Sequence, residues 1–572
     1  MKKEKYILGL NYIGHDASAS LLRNGEVLAS VMEERFSRKK HDRSFPMQSI
    51  QYCLSVAEIG INDLAAICYY MEPKEHFEQR VVHHLGRYYP KSAPLFPDML
   101  GRALKVNNVE KEIRDQLNYL GKIYFADHHT SHIATGFFLS PYEEAAVISI
   151  DGLGEISSTV IADAQGNDIT ILKRINFPHS LGMLYNAVTH YLGFNAIGDA
   201  GKVMGLTSYG DRSVYLDDFR KIVLLQDDGG YELDLEYFEF PFQRDLWISE
   251  KFIELFGPKR EKDEPLEKRH QDIAAGLQAM LEEVYYHLAQ YARKATGRDY
   301  LCLSGGVTLN SVANGKLLER EYFKDIFVPP PTGDDGTSLG SALLYNYQEL
   351  GNTQRYPLPN GFLGPEYSDE EIEAALKRFN LEYYKSDDVC KEAAAMLADN
   401  KIIGWFQGRM EVGPRALGNR SILANPALDH VKDTLNLRVK FREPFRPFAP
   451  SILAEDVGEW FTYDHEAPYM LFVFDVKEEK RSQVPGITHV DGSGRLQSVD
   501  SQRNPKYHRL ITAFKEHTGV PMVINTSFNI KGEPIVNTPI DAVRCFLGNG
   551  LDCLVLGDYI IKKNTDRCME RG

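Results

Sequence analysis

Apolar residues recur along this chain with two different periods. In DIAAGLQAMLEEVYYHLAQYAR (272–293), Ile273, Leu277, Leu281, Val284 and Leu288 fall three and four residues apart, one stripe of an amphipathic helix. The helix leads into YLCLSGGVTLN (300–310), an apolar run ending in Ser-Gly-Gly that reads as a buried strand. Two other stretches are weakly alike: LGLNYIGHDASASLLRNGEVL (8–28) and ISIDGLGEISSTVIADAQGND (148–168). Each predicts a short buried strand, a glycine-containing turn after a polar residue (Asn11, Asp151), a serine-bearing second strand and a tight turn. In the first copy Asn24-Gly25 stands between two strand-like runs, a strong hairpin signal.

Two such hairpins, each opening on a loop that can face a phosphate, are the layout of actin-like and sugar-kinase-like ATPase folds, unless the likeness of the two is chance. The stretch GNTQRYPLPNGFLGPEYSD (351–369) is rich in Gly and Pro, lacks periodicity and predicts a domain boundary. Beyond it, strand-like IIGWF (402–406), SILA (451–454), MLFVFDV (470–476) and PMVINTSF (521–528) alternate with helical segments, which predicts a second α/β domain. A chain of 572 residues is too long for one ordinary core, in keeping with that division.

Composition narrows the setting. With 43% hydrophobic and 25% charged residues the chain is of globular type. Lys+Arg at 65 against Asp+Glu at 80 gives −15, which speaks against a nucleic-acid partner. The seven cysteines contain no CxxC pair, so neither a disulfide framework nor a cysteine zinc site is expected, and a reducing cytoplasm is the natural location. The opening MKKEKYILGLNYIGHDAS is broken early by Asn11, His15 and Asp16, unlike a signal peptide. No stretch approaches a membrane span, so no membrane partner is expected. The oligomeric state is not legible.

The chemistry-bearing residues form two sets. In DHHTSH (127–132), His128 and His132 stand four apart and His129 and His132 three apart, so either pair shares a helix face, as two metal ligands must. Asp151 and Asp334 offer carboxylates from separate loops, although one could be a turn residue and the other a helix cap. Two His and two Asp would suit iron, manganese or zinc. Three glycine-rich loops, GKVMGLTSYG with Lys202, LSGGVTLN with Gly305 and Gly306, and GDDGTSLG (333–340), predict a nucleotide pocket of a kind other than the P-loop. The second set lies beyond the boundary: Arg409, Arg415 and Arg420 with Glu411, then Lys440, Arg442 and Arg446, then Arg495, then Asn525, Ser527 and Asn529. Arginine forks flanked by Gly and Pro in an acidic protein predict a pocket for several negative groups, with surface ion pairs as the plainer alternative. No G-x-S-x-G elbow or hydrolase triad pattern is found, so positioning and charge neutralisation are expected rather than covalent catalysis.

GHDAS (14–18), EERFSRKKHD (33–42), DHHTSH, IDGLGE (150–155), GKVMGLTSYG, LSGGVTLN, GPRALGNRSIL, FRPFAP, DGSGRLQSV and NTSFN, in this order from the first strand to about residue 560, resemble the O-carbamoyltransferases of the NodU/CmcH/TobZ type. The resemblance implies an actin-like (ASKHA, Kae-like) carbamoyl-transfer domain over 1–355, followed by a YrdC-like α/β domain over 363–572 that forms carbamoyl-adenylate from carbamoyl phosphate and ATP. The first domain would pass the carbamoyl group to a hydroxyl of a small natural-product or sugar-like acceptor. It implies His128, His132, Asp151 and Asp334 as metal ligands, usually for iron, here Fe(II) with Mn or Zn as alternatives, His129 as a neighbour that does not ligate, and Mg accompanying ATP. It implies His15 and Lys40 at the acceptor site, with His15 as general base. Arg415, Arg446, Arg495 and Ser527 would contact carbamoyl phosphate or nucleotide phosphates, and Asn525 the nucleotide. Arg409, Arg420, Lys440, Asn529, Lys202, Gly305 and Gly306 are further candidates around these sites.

Rival readings are a tRNA-threonylcarbamoylation or hydrogenase-maturation enzyme, and an actin-like ATP-binding sensor or kinase without carbamoyl transfer. The net charge speaks against the first, and the missing CxxC pairs against the second. The arginine-rich second half speaks against a sensor, and a sugar kinase leaves 360–560 unexplained.

Overall fold

The computed structural model describes residues 4–563. The chain divides into two compact units. One holds the residues up to Glu33 and His41–Leu358; the other holds Glu34–Lys40 and the residues from Pro359 onward.

The first unit is built on two five-stranded sheets. β1 (Tyr6–Asn11), β2 (Ser18–Arg23), β3 (Glu26–Met32), β4 (Leu64–Tyr69) and β5 (Lys122–Phe125) make one sheet in the order β3-β2-β1-β4-β5. β6 (Glu144–Ile150), β7 (Ser157–Gln165) and β8 (Asp168–Asn176) belong to the second, while β9 (Val223–Leu225) and β10 (Tyr231–Leu233) form a separate ribbon. β11 (Tyr300–Ser304) and β12 (Asp325–Phe327) complete the second sheet in the order β12-β11-β6-β7-β8. Read from its other edge this is the same order as the first sheet. In both, the three leading strands run antiparallel and the last two join parallel to the first. The weak repeat in the sequence is therefore a structural duplication, and the unit is actin-like. Asn24-Gly25 joins β2 to β3, as the hairpin signal predicts.

The stripe on the long helix Lys268–Thr296 faces inward, with Ile273, Leu277, Leu281, Val284 and Leu288 no more than 3% exposed. Residues 73–117 fold as short helices, among them Pro73–Phe77, Phe96–Asn107 and Val109–Leu117.

The second unit is a nine-stranded mixed sheet. Its strands are β13 (Tyr384–Lys385), β14 (Ile403–Phe406), β15 (Arg420–Ala424), β16 (Ala449–Leu453), β17 (Phe472–Asp475), β18 (Ser493–Val499), β19 (Met522–Ser527), β20 (Cys553–Leu556) and β21 (Tyr559–Lys562). They lie in the order β13-β21-β20-β14-β15-β19-β16-β18-β17. The four strand-like runs read from the sequence are β14, β16, β17 and β19. The segment 34–40 is pinned here through backbone carbonyls: Arg35 donates to Gly413 O (3.0 Å), and Arg38 to Ile535 O (2.7 Å) and Pro534 O (2.8 Å). An uninterrupted first domain over 1–355 does not anticipate this excursion.

Among the described residues no helix is long and apolar enough to cross a membrane. Cys53, Cys68, Cys302, Cys390, Cys545 and Cys553 are buried free thiols; Cys568 lies outside the described residues.

Candidate functional site

The first candidate site begins at the helix His128–Phe138. Asp127 caps it by accepting from Thr130 N (2.8 Å), and the Glu155 carboxylate accepts from His128 N (3.1 Å). Burial pushes the Glu155 carboxyl up to about 7. From this helix His128 and His132 project on one face, as their spacing of four predicts. Asp151 follows β6, and Asp334 opens the loop before the helix Thr337–Leu344. The four side chains are buried and offer ligand atoms that all lie within 4.8 Å of one another. His128 Nε2 is 3.3 Å from Asp151 Oδ2, and His132 Nε2 is 3.5 Å from Asp334 Oδ1.

A divalent ion fits this donor set on its chemistry. Two imidazole nitrogens and two carboxylates converge, and His132 Nε2 and Asp334 Oδ1 are buried without a hydrogen-bond partner among the described residues. Burial works against charge on His128, yet its hydrogen bond to Asp151 and the nearby Asp334 raise it to about 9. Carboxylates that hold an imidazolium in this way also attract a metal ion. His129 turns away: its ring nitrogens meet Ser149 Oγ and Ser157 O, each at 2.8 Å.

The surrounding loops fix the ligands. Gly306 N donates to Asp151 Oδ1 (2.8 Å), and Gly305 packs so tightly that a Cβ there would stand 2.3 Å from Ile150 O. Asn11 Nδ2 donates to Asp334 O (2.8 Å), Asp16 O (3.1 Å) and His15 O (3.3 Å), tying the first hairpin to the Asp334 loop. Asn11 thus stands in the first hairpin where Asp151 stands in the second, and the internal repeat was the signal that could have marked it. His15 Nε2 lies 3.6 Å from Asp334 Oδ2, and His15 Nδ1 lies 2.9 Å from Asp16 Oδ2. The Asp334 charge raises His15 to about 10. Although burial opposes it, the His15 and His41 hydrogen bonds hold the Asp16 carboxyl well below the usual range. Lys202 pairs with Asp199 Oδ2 (3.0 Å) on the helix Ala200–Leu206.

The second candidate site lies in the second unit. Glu411 Oε1 accepts three backbone N–H groups, from Leu417, Asn419 (both 2.8 Å) and Arg420 (2.9 Å), which shapes the loop carrying Arg415. Arg415, Arg442, Arg446 and Arg495 act on one another electrostatically. Burial and then Arg446 push Arg415 down to about 10 and Arg442 to about 9; burial and then Arg415 push Arg495 well below its ordinary value. Burial, and then Arg442, also holds Lys440 well below the usual range, with Lys40 contributing from the 34–40 segment. Lys440 Nζ has four acceptors in reach: Ser527 O (2.7 Å), Ser527 Oγ (3.2 Å), Asn529 O (3.0 Å) and Asn529 Oδ1 (2.6 Å). Asn525 Nδ2 donates to Gln497 Oε1 (2.9 Å) and Ser451 Oγ (3.1 Å).

Two sequence candidates serve the loop itself. Arg420 is fully buried, stacks on Phe406 at 3.6 Å and donates to Gln407 O, Gly408 O and Pro365 O. Arg409 donates to Leu363 O and Gly364 O. Lys40, grouped with His15 in the sequence reading, lies in the segment that packs with the second unit. The roles of Asn11, Glu155 and Glu411 were missed because each acts through backbone groups that only the fold brings near, and that of Asp16 because it acts through the rings of His15 and His41.

The family models described as Carbamoyltransferase N-terminus and Carbamoyltransferase C-terminus match residues 6–343 and 394–563. The chain belongs to the carbamoyltransferase family. It is therefore a carbamoyltransferase enzyme, and its relatives include an O-carbamoyltransferase. The 3'-hydroxymethylcephem-O-carbamoyltransferase of Streptomyces clavuligerus is 30% identical, over 76% of this chain and 80% of its own. Nodulation protein NolNO of Sinorhizobium fredii (strain NBRC 101917 / NGR234) is 40% identical over 97% of this chain and 80% of its own. Among solved structures, the Acidaminococcus fermentans (R)-2-hydroxyglutaryl-CoA dehydratase component A aligns at 16% identity and a TM-score of 0.34, over 61% of this chain and 99% of that one. The actin-like character of the carbamoyltransferase's first unit rests on its own strand order.

Proposed function

We propose that this carbamoyltransferase is an ATP-dependent O-carbamoyltransferase that works through carbamoyl-adenylate. The observation that carries the reading is the pairing of two sites of opposite character: a buried His/Asp cluster in one unit and mutually repelling arginines in the other.

In the second unit Arg415, Arg446 and Arg495 bind carbamoyl phosphate and the ATP phosphates, with Ser527 and Asn525 on the phosphate and nucleotide sides. Water releases phosphate from carbamoyl phosphate. A carbamate oxygen then attacks the α-phosphorus, and pyrophosphate departs with the electron pair of the broken bond. Arginines do this work by neutralising charge as it shifts between oxygens.

In the first unit His128, His132, Asp151 and Asp334 would hold a divalent metal. When bound, that ion supplies positive charge for the adenylate phosphate and cancels the carboxylate charge that otherwise keeps His15 protonated. His15, with its Nδ1 oriented by Asp16, takes the acceptor hydroxyl proton. The acceptor oxygen bonds to the carbamoyl carbon, and AMP leaves with the electrons of the carbon–oxygen bond. The acceptor is a small hydroxylated molecule, by analogy with the cephem relative's printed name.

The test is pyrophosphate release from ATP by the purified chain with metal present, with and without carbamoyl phosphate. Release that requires carbamoyl phosphate supports adenylate formation. No release, with ATP bound, would leave a carbamoyltransferase of another mechanism.

A further inference from the structure

Tyr70 directly follows β4, in the run YYMEP. Its side chain is fully buried, and its hydroxyl has no hydrogen-bond partner among the described residues. The adjacent Tyr69 behaves differently, donating its hydroxyl to Tyr12 O at 2.8 Å. A buried O–H left unsatisfied is unusual in a native protein and needs an explanation, which its position beside the His/Asp cluster supplies. The Tyr70 ring packs against His128, with centroids 5.5 Å apart, which aims the phenol toward the His/Asp cluster. Gly14 marks where the hydroxyl ends. A methyl group there would stand 2.6 Å from the Tyr70 hydroxyl and 3.5 Å from Asp334 Oδ2. The bare α-carbon of Gly14 therefore lets the phenol hydroxyl pack closely against the backbone just before His15, on the side of the ligand carboxylate. The next residue is His15, whose Nε2 lies 3.6 Å from the same carboxylate oxygen.

We propose that the Tyr70 hydroxyl is a catalytic hydrogen-bond donor to the carbamoyl oxygen during transfer, an inference that rests on placing transfer at the His/Asp cluster. As the acceptor oxygen attacks the carbamoyl carbon and His15 takes its proton, negative charge gathers on the carbamoyl oxygen. A neutral phenol hydroxyl can donate to that oxygen. When the carbon–oxygen bond to phosphate breaks, the carbonyl reforms and AMP carries away the electron pair.

The test uses Tyr70→Phe, which keeps the ring and its packing, and Gly14→Ala, whose methyl group crowds the Tyr70 hydroxyl out of its place. The probes are AMP and adenosine 5′-(carbamoylmethyl)phosphonate, in which CH2 replaces the anhydride oxygen. Binding to the Mn(II)-loaded full chain is read by calorimetry, beside metal content and carbamoyl-phosphate-dependent pyrophosphate release. Both variants should bind the phosphonate about tenfold more weakly than wild type does, with metal content unchanged. For Tyr70→Phe, AMP affinity and pyrophosphate release should also be unchanged. Equal binding of the phosphonate by wild type and Tyr70→Phe overturns the assignment, as does a Tyr70→Phe chain that loses metal or AMP as well. A wild type that binds no phosphonate overturns it too. A wild type that releases no pyrophosphate sinks the adenylate reading and the Tyr70 inference with it. Normal release with unchanged phosphonate binding sinks the inference alone.

Discussion

In the first unit, two histidines and two carboxylates bring their ligand atoms within 4.8 Å of one another, with charges that attract. In the second, Arg415, Arg442, Arg446 and Arg495 repel one another, and Glu443 stands 3.9 Å from Arg446 as a loose counter-charge. Bringing like charges together while removing them from water is costly unless a partner of opposite sign is bound. The contrast teaches that each unit stores an electrostatic debt of a different sign. Carboxylates gathered around imidazoles suit a cation, and guanidinium groups gathered around one another suit anions. The means of support differ as well. Glycine and asparagine hold the first cluster through close backbone approach, while a buried Glu411 and backbone carbonyls hold the second.

The sharpest way to break the contrast is to remove one charge from each side. His132→Ala should lower metal content below one tenth of wild type and carbamoyl transfer by about a hundredfold or more, while pyrophosphate release persists. Metal analysis beside a phosphate assay reads both, and full metal content in His132→Ala would refute the ligand set. Arg415→Ala should do the reverse, cutting pyrophosphate release by about a hundredfold with metal content unchanged. If Arg415→Ala lost metal instead, the two sites would not be chemically separate.

How much of this could be read from the chain depends on the range of the interaction. The four-residue spacing of His128 and His132, the buried stripe of the long helix and the four strand-like runs are local, and they appear in the structure where the pattern puts them. The duplicated strand order was visible as the repeat of two hairpins, since each copy is a contiguous piece. The support around the sites was not legible. Asn11 reaches Asp334 across more than three hundred residues, and Glu155 reaches back to the start of the histidine helix. Arg409 and Arg420 resembled anion ligands in sequence, but the fold commits their N–H groups to carbonyls of their own loop and of 363–365. The excursion of 34–40 was equally hidden, because no local pattern says where a basic segment will pack.

A smaller effect sharpens the account of support in the second unit. Glu411→Gln keeps the size of the side chain but replaces a charged acceptor of three amide hydrogens with a neutral one. The expected loss is about 1–2 kcal/mol of stability. The KM for carbamoyl phosphate should rise several-fold, because Arg415 is carried on the same loop. Denaturant unfolding and initial rates check the two effects. Lost stability with an unchanged KM would show that the cradle holds the loop without positioning Arg415.

The smallest effect tests the sign of the second site directly. Burial, with Arg495 and Lys432 adding to it, pushes His489 down to about 4, even though Asp491 opposes. Between pH 6.5 and 4 the unfolded chain then binds a proton at this position that the native chain does not. Stability from neutral His489 is fully present above pH 6.5 and is lost as pH falls. Between pH 7.5 and 5.5 the loss from this residue is about 1 kcal/mol. His489→Gln should remove that share of the pH dependence, leaving the contributions of other histidines in place. Saturating inorganic phosphate should shrink the difference between wild type and variant, because a bound anion offsets the arginine charge that keeps the imidazole neutral. A difference that survives phosphate unchanged would mean that burial alone keeps His489 neutral, and that the arginines around it do not form one anion site.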